Sequence, residues 1–251
     1  MDLGLSQRVY VVTGGGRGLG RATADLLVAE DARVVLSGRS QETLDAAVSE
    51  LGENAVGVVG DNADPETAQR LVDTARSTWG RLDGALISVG GPPTGTMMDT
   101  PDDAWTSSFQ SVFVGGLRVA RAVARDVEGP ASIAFVLSSS VRAPLPNLAI
   151  SNGLRPGLAM AAKNLADELG ARDVRVNGLL PGRIGTARVE ELDASTGDAE
   201  AARVKAIASI PLGRYGDPEE FAAAAAFLLS PASSFITGVM LPVDGGMLRG
   251  L

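Results

Sequence analysis

The sequence predicts one α/β domain built on a doubly wound parallel sheet, with helices on both faces. An apolar run, Val9 to Val12, leads into a glycine-rich turn, Thr13 to Gly20, and then into a helical pattern over residues 21–30. Strand-like apolar runs and helical patterns alternate along the rest of the chain, as a parallel sheet with crossover helices requires. The chain has 251 residues, of which 45% are hydrophobic, and it shows no linker or internal repeat, so we expect a single core.

The glycine-rich turn has the arrangement of a phosphate-binding loop. Glycine lets the backbone turn sharply and approach a pyrophosphate closely, and the free N–H groups at the start of a helix favour negative charge. Strand, loop and helix also follow one another in the order that a dinucleotide site requires. We therefore predict that a dinucleotide is bound here, by Gly14, Gly16, Arg17, Gly18, Leu19 and Gly20.

The second strand, residues 32–37, ends where dinucleotide-binding folds meet the adenosine ribose. An acidic residue there would bind a free 2′-hydroxyl and repel a 2′-phosphate. This chain has Arg39 instead, and together with Arg17 it can neutralise a 2′-phosphate, which favours NADP(H) over NAD(H). The alternative is that both arginines are solvated loop residues.

The third strand, residues 55–60, is followed by Asp61 and Asn62. At the carboxyl end of a strand, their side chains can hydrogen-bond the edge of an adenine ring. The alternative for both residues is that they cap the loop. A helix over 65–79 and a fourth strand over 84–89 follow, and the glycine- and proline-rich turn at 90–93 ends that strand beside the expected pyrophosphate crevice.

The remaining elements continue the alternation. We expect a long helix from about Pro101 to Asp126 and then a fifth strand over 131–137, which runs into three serines. A helix over 155–169 and a sixth strand over 174–180, ended by Pro181-Gly182, come next. A helix that begins at Asp217-Pro218 and a closing strand over 238–243 complete the pattern. Residues 186–209 look helical but are interrupted at 195–198, which indicates a two-helix insertion, about 184–210, over the carboxyl edge of the sheet. Such an insertion can serve as a substrate lid.

Composition excludes several classes of function. The formal charge is −8, so there is no positive field to collect nucleic acid or anionic lipid. The chain has no cysteine and no histidine, which rules out disulfides, thiolate nucleophiles, the common zinc sites and a Ser-His-Asp triad, and we expect no metal site. Its first residues lack a basic region followed by an apolar stretch, and no segment approaches the roughly 20 apolar residues that span a bilayer. We expect a cytoplasmic protein that binds neither nucleic acid nor membranes.

Several motifs occur in the order known from one family. The loop from Thr13 to Gly20 matches TGxxxGxG, Asp61 is an acidic residue after the third strand, Asn177 to Gly182 reads Asn-x-x-x-Pro-Gly, and residues 238–246 form the closing element. Over nearly its whole length the chain thus resembles the short-chain dehydrogenase/reductase family, and within it the 3-oxoacyl-carrier-protein-reductase-like members. The resemblance implies a single Rossmann domain with seven parallel strands, a bound nicotinamide dinucleotide and a homo-oligomer, commonly a tetramer, with a dimer as the alternative. It adds further cofactor contacts at Gly90, Pro181, Gly182, Ile184 and Thr186.

The catalytic positions depart from the family pattern. The family uses a serine, a tyrosine thirteen residues later, a lysine four residues beyond that, and an asparagine in the preceding long helix. In this sequence the four positions correspond to Ser138, Ser151, Arg155 and Ser111. Reduction of a carbonyl needs a proton for the oxygen, and the loss of a placed general acid costs about 10² to 10⁴ in rate. Serine is a far weaker acid than tyrosine, arginine keeps its proton, and Tyr215 is the one aromatic acid to consider as a substitute.

Pro156 raises a second question about this site. A proline inside a helix clashes with the carbonyl four residues earlier, so we expect the first turn of this helix near residues 153–157. Ser151 and Arg155 then need not share one helical face. We hypothesise a reshaped pocket in which Arg155, with Arg142, clamps a carboxylate or the phosphates of the cofactor.

Two functions remain open at this point. The first is an NADP(H)-dependent oxidoreductase for a small carbonyl or alcohol substrate, in which Ser138 and Ser151 orient the oxygen, Arg155 stabilises oxyanion charge and water supplies the proton. The second is a catalytically inactive NADP(H)-binding protein that acts as a sensor or as a partner subunit. The sequence does not identify the substrate or the direction of reaction.

Overall fold

The seven strands expected from the apolar runs are all present in the computed structural model, which describes residues 2–250. They are β1 (Val9–Thr13), β2 (Arg33–Gly38), β3 (Ala55–Val59), β4 (Gly84–Ser88), β5 (Ala131–Val136), β6 (Val174–Pro181) and β7 (Met240–Val243). They pair in parallel in the order β3-β2-β1-β4-β5-β6-β7. The prediction of a doubly wound, seven-stranded parallel sheet is confirmed.

The helices lie close to their expected places. They are α1 (Gly18–Ala29), α2 (Gln41–Leu51), α3 (Thr67–Trp79), α4 (Asp102–Ser108), α5 (Gly115–Asp126), α6 (Ala149–Leu169), α7 (Ala187–Ala194), α8 (Ala199–Ala208) and α9 (Pro218–Leu229). A π-helical segment, Phe109–Val114, joins α4 to α5, so the long helix expected from 101 to 126 is present with a widened turn in its middle. Residues 186–209 contain two helices, α7 and α8, which are separated at residues 195–198, and a role of this insertion as a substrate lid stays a prediction.

Two apolar layers hold the sheet between its helices. Along β1, Val9 and Val11 face the layer that contains α3, α5 and α6, whereas Tyr10 and Val12 face the layer with α1, α2 and α9. This alternation follows from the period of two along a strand, and it explains why a strand buried on both faces reads as a continuous apolar run. Among residues 2–250, no helix has both the length and the apolar character needed to cross a bilayer.

The start of α6 differs from the expectation. The prediction of a first turn near residues 153–157 is wrong, because α6 begins at Ala149 and Pro156 lies inside the helix. Pro156 removes one backbone hydrogen bond, but tertiary contacts stabilise the earlier turns. The Asn152 amide accepts from the Leu145 backbone N–H at 3.0 Å and donates to the Leu145 carbonyl at 2.8 Å. Ser151 and Arg155, four residues apart, therefore lie on one face of the helix.

Candidate active site

The candidate site lies where the strand order reverses, between β1 and β4, at the carboxyl edge of the sheet. The Thr13 hydroxyl donates to the Ser88 carbonyl at 3.0 Å and thereby ties the ends of these two strands together. The Gly15 N–H donates to the Ser37 carbonyl at 2.9 Å, which holds the glycine-rich loop against β2. The three segments predicted to hold a dinucleotide therefore meet at one crevice.

At two positions the glycine-rich loop approaches backbone carbonyl oxygens too closely for a side chain. Gly14 has φ +61°, and a Cβ there would lie 2.6 Å from the Ser88 carbonyl oxygen. A Cβ at Gly20 would lie 2.4 Å from the Gly14 carbonyl oxygen. No side chain of the described part of the chain caps the amino end of α1, where Arg17 has extended backbone. The first N–H groups of α1 are thus available to a phosphate.

The two arginines assigned to the 2′-phosphate are both exposed. Within the part of the chain that the structure describes, neither Arg17 nor Arg39 forms an ion pair with a carboxylate. Their charges are therefore free to meet an anionic ligand at the β2 side of the crevice. This exposure is equally what the alternative of solvated loop residues requires.

Asp61 and Asn62 lie at the end of β3, as expected, and their observed contacts are within the protein. The Asp61 carboxylate accepts from the Ala63 backbone N–H at 2.9 Å, which is the loop-capping alternative. The backbone of Asn62 packs on α5 so closely that a Cβ at Gly115 would lie 2.4 Å from the Asn62 carbonyl oxygen. Their contact with an adenine ring stays a prediction.

The opposite wall of the crevice is formed by the end of β6 and the segment that follows. Gly182 donates its N–H to the Val243 carbonyl at 3.0 Å, and Ile184 is buried in a bridge to Gly216. Thr186 precedes α7, and its methyl group lies 3.8 Å from the position of a Cβ at Gly18. Of the cofactor contacts expected after Pro181, Thr186 therefore lies beside the glycine-rich loop.

Three serines meet where the end of β5 approaches α6, and two of them, Ser138 and Ser151, are predicted site residues; Ser140 and Ser151 are buried, whereas Ser138 is half-buried. The Ser138 hydroxyl accepts from the Ser140 backbone N–H at 3.1 Å. The Ser140 and Ser151 hydroxyl oxygens are 3.2 Å apart, and these residues are only 4% and 6% exposed. Ser140 was the missed member, and the run of three serines after a buried strand was the available signal.

Arg155 is buried at the ends of β4 and β5. Its Nη1 donates to the Val136 carbonyl at 2.5 Å, and its Nη2 lies 3.5 Å from the Val89 carbonyl oxygen. Its Nε is buried and has no hydrogen-bond partner among residues 2–250. Burial lowers the pKa of the guanidinium to about 10, so Arg155 remains charged at neutral pH. Arg142 is exposed instead, and the structure gives no support for a clamp formed by both arginines.

Two other candidate residues have their hydroxyls occupied. Ser111 lies in the π-helical segment, where its hydroxyl donates to the Ser107 carbonyl at 3.0 Å. Tyr215 donates its hydroxyl to the Asp193 carboxylate at 2.8 Å, and burial raises its pKa above the ordinary value. Asp193 also pairs with Arg183 at 2.8 Å, so Tyr215 stabilises the position of α7. The expectation that Tyr215 could serve as the substitute acid is not supported.

Arg188 connects α7 to the turn after β4 and was missed in the sequence. It lies in the first turn of α7, and its Nη2 donates to the Pro92 carbonyl at 2.7 Å. Its Nε lies 2.6 Å from the position of a Cβ at Gly91. A cation in the first turn of a helix opposes the helix dipole, and this local cost was the only signal in the sequence.

Two segments at the carboxyl edge of the sheet, one after β4 and one before α6, are joined by backbone hydrogen bonds. The Gly95 N–H donates to the Asn147 carbonyl at 2.8 Å, and the Ala149 N–H donates to the Gly95 carbonyl at 3.2 Å. The two hydrogen bonds between the Asn152 side chain and the Leu145 backbone fix Leu145 to α6. These bonds join the segment around residue 95 and the segment 145–149 into a single wall.

Comparisons with known proteins agree with this geometry. A family model described as enoyl-(acyl carrier protein) reductase matches residues 14–248. The 3-oxoacyl-[acyl-carrier-protein] reductase FabG of Vibrio harveyi is 32% identical over 248 residues, which cover 98% of this chain and 99% of that protein. L-sorbose reductase from Gluconobacter frateurii, solved with NADPH and L-sorbose, is 30% identical with a TM-score of 0.93, and the match covers both chains completely. A short-chain oxidoreductase from Pseudomonas aeruginosa PAO1, described as containing an atypical catalytic center, is 30% identical with a TM-score of 0.89 over 97% of this chain and 98% of that one.

Proposed function

The chain belongs to the short-chain dehydrogenase/reductase family of NAD(P)-dependent oxidoreductases, and on that premise we propose that it transfers hydride between NADP(H) and a small carbonyl or alcohol substrate. The observation that supports this most directly is the glycine-rich loop. Its backbone contacts at Gly14 and Gly20 exclude side chains, and it leaves the amino end of α1 open. A loop of this form at the reversal of the strand order is suited to a pyrophosphate.

The preference for NADP(H) is supported by charge. Arg17 and Arg39 are exposed beside the end of β2, where a 2′-phosphate is expected, and no ion pair occupies them among the described residues. The similar L-sorbose reductase was solved with NADPH. A cofactor with a 2′-phosphate would therefore bind more tightly than one with a free 2′-hydroxyl.

The chemistry rests on polar groups that do not titrate near neutral pH. Hydride arriving at a carbonyl carbon moves an electron pair onto the oxygen, which becomes an alkoxide until it takes a proton. The hydroxyls of Ser138 and Ser151 can donate hydrogen bonds to that oxygen, and the charge of Arg155 stabilises it. Arg155 keeps its proton, so a water molecule supplies the proton that completes the alcohol. Without a placed acid, we expect turnover lower by about 10² to 10⁴ than with the family's tyrosine.

A second function is favoured by a specific observation. Three of the four family catalytic positions are changed, at Ser111, Ser151 and Arg155, and the hydroxyl of Tyr215 is held by Asp193. A protein with this site can bind NADP(H) without turnover, as a sensor or partner subunit. The triple variant Ser111→Asn, Ser151→Tyr, Arg155→Lys distinguishes the two functions. If the variant reduces ketones that the parent leaves untouched across the whole panel, the parent is the binding protein.

The first experiment is a titration of the purified protein with NADPH and with NADH, followed by the fluorescence of the nicotinamide. We expect saturable binding with a clear preference for NADPH, weakened by Arg39→Ala but not by Arg125→Met, which removes an exposed arginine of α5. Failure to bind either cofactor would contradict both functions. A panel of small ketones, aldehydes and alcohols then tests turnover by absorbance at the nicotinamide band.

We also infer a homo-oligomer, a tetramer or a dimer, in the cytoplasm. The oligomeric assembly is supported by apolar side chains that are exposed on α6 and on the π-helical segment. Met160 is 64% exposed, and Phe109, which stacks on Phe113, is 42% exposed. Sedimentation velocity of the wild-type protein and of Met160→Glu tests this assembly.

A further inference from the structure

We propose that the substrate carries a carboxylate close to its reacting carbonyl, as 2-oxo and 3-oxo acids do, and that the Nε–Nη2 edge of Arg155 binds this carboxylate. The proposal rests on the proposed oxidoreductase function and specifies its substrate class. It follows from the hydrogen bonds, the burial and the position of one side chain.

The first argument is the direction in which Arg155 is already bonded. Nη1 anchors the guanidinium to the Val136 carbonyl at 2.5 Å. Nε and Nη2 form the other edge of the fork, and their N–H groups point the same way, which is the geometry that binds both oxygens of a carboxylate. This edge makes few hydrogen bonds, because within the described structure Nε has no partner and Nη2 has only the 3.5 Å contact with the Val89 carbonyl oxygen.

The second argument is the balance of charge. Arg155 is 5% exposed, and no carboxylate pairs with it among the described residues, since none of the nine ion pairs includes it. A buried cation without a counter-charge is costly, and two carbonyl oxygens compensate it only in part. An anionic ligand would supply both the missing charge and the missing acceptor for Nε.

The third argument is where a ligand on this edge would place its carbonyl. Arg155 lies one helical turn after Ser151 on the same face of α6, and the hydroxyl of Ser151 is 3.2 Å from that of Ser140. A carboxylate on Arg155 therefore has its neighbouring atoms near the buried serines, and for such a substrate the serine hydroxyls, rather than the guanidinium, bind the carbonyl oxygen. The Val89 carbonyl that Nη2 contacts belongs to the turn that Arg188 joins to the lid through Pro92. We infer that the lid must move away from this turn before a ligand reaches Arg155.

The test compares carboxylates with neutral amides of the same shape. Propionate, propionamide, benzoate and benzamide are titrated calorimetrically into the NADPH-loaded wild-type protein, Arg155→Met, Arg155→Lys and the control Arg125→Met. We expect the wild type and the control to bind each carboxylate at least about tenfold more tightly than its amide, as charge-assisted bidentate bonds predict. Arg155→Met loses this preference, and Arg155→Lys weakens it because an ammonium lacks the fork.

Two results would overturn the proposal. One is equal binding of carboxylate and amide by the wild type, including no binding of either at about 50 mM, well above a millimolar dissociation constant. The other is an unchanged preference in Arg155→Met. If Arg155→Met does not fold, as judged by near-ultraviolet circular dichroism, Arg155→Lys decides, and an undiminished preference in that variant refutes the forked contact.

The proposed function is tested separately in the same preparations. Oxidation of NADPH is followed with matched 2-oxo acids and their methyl esters. Carboxylate binding without any oxidation of NADPH supports the anion site and contradicts the redox function. Reduction of esters and neutral ketones as fast as the acids, with no carboxylate preference in the calorimeter, contradicts the anion site and keeps the redox function.

Discussion

Two adjacent glycines at the start of α5 allow a sharp test of the structure. A Cβ at Gly115 would lie 2.4 Å from the Asn62 carbonyl oxygen and 2.8 Å from its carbonyl carbon, which are backbone atoms that cannot turn aside. A Cβ at Gly116 would lie 3.7 Å from Ile87 and 3.8 Å from Leu158, which is ordinary van der Waals contact. Alanine at either position gains about 1 kcal/mol of helix propensity over glycine.

The two alanine variants should therefore differ strongly. Overpacking in a tight site costs about 1–3 kcal/mol. The free energy of unfolding of Gly115→Ala should therefore be lower than that of Gly116→Ala by that amount, which corresponds to a Tm lower by roughly 2–12 °C for a chain of this size. The free energy of unfolding of Gly116→Ala should equal or exceed that of the wild type. Urea denaturation and differential scanning calorimetry measure both.

The same pair also tests the cofactor site. Gly115→Ala moves the loop that carries Asp61 and Asn62, so we expect NADPH to bind several-fold more weakly, whereas Gly116→Ala leaves the affinity unchanged. Equal stability and equal NADPH affinity in the two variants would refute both the close contact and the placement of this loop in the cofactor site.

Three further predictions concern the two-helix insertion and the segments that support it. Arg188→Ala removes the bond to the Pro92 carbonyl, so NADPH should associate and dissociate several-fold faster in stopped-flow measurements; unchanged rates would show that this contact does not limit access. Tyr215→Phe should lower the free energy of unfolding by about 1 kcal/mol and leave the pH dependence of turnover unchanged, because the hydroxyl bonds Asp193 and is no catalytic acid. Arg214 holds the pKa of Glu220 at about 2, below the ordinary 4.5, so the stabilisation by Glu220 is complete above pH 4.5 and is lost as the pH falls toward 2. Urea denaturation of Glu220→Gln should show a deficit at pH 7 that shrinks at pH 3, and an equal deficit at both would contradict the ion pair.

The fold could be predicted because its signals are local. The burial of β1 on both faces gives the apolar run at residues 9–12, and the close backbone contacts of the loop require glycine at Gly14 and Gly20. The break between α7 and α8 was visible because Asp198 caps the second helix and Gly197 has φ +89°. Each of these features depends on a few consecutive residues and is therefore visible in the sequence.

The details of the site depend on contacts between distant segments. The rule that proline ends a helix fails at Pro156, because other contacts stabilise the turns before it. The Asn152 side chain hydrogen-bonds the Leu145 backbone, and the Trp105 ring packs where a Cβ at Gly153 would lie. Arg188 reaches Pro92 from 96 residues away, and no local pattern indicates that partner. The sequence placed Tyr215 among the candidate acids by elimination, and only the structure shows its bond to Asp193.

The hydrogen bonds that join Gly95 to Asn147 and Ala149 have a consequence for engineering. These two stretches lie about fifty residues apart in the chain, but their backbones are hydrogen-bonded to each other. Neither stretch therefore keeps its shape independently of the other. Replacing one with the corresponding loop of a relative breaks the bonds that shape the other. A transfer of substrate preference between this chain and a homologue therefore requires that both stretches, together with the Asn152 side chain that holds the second, be exchanged as one unit.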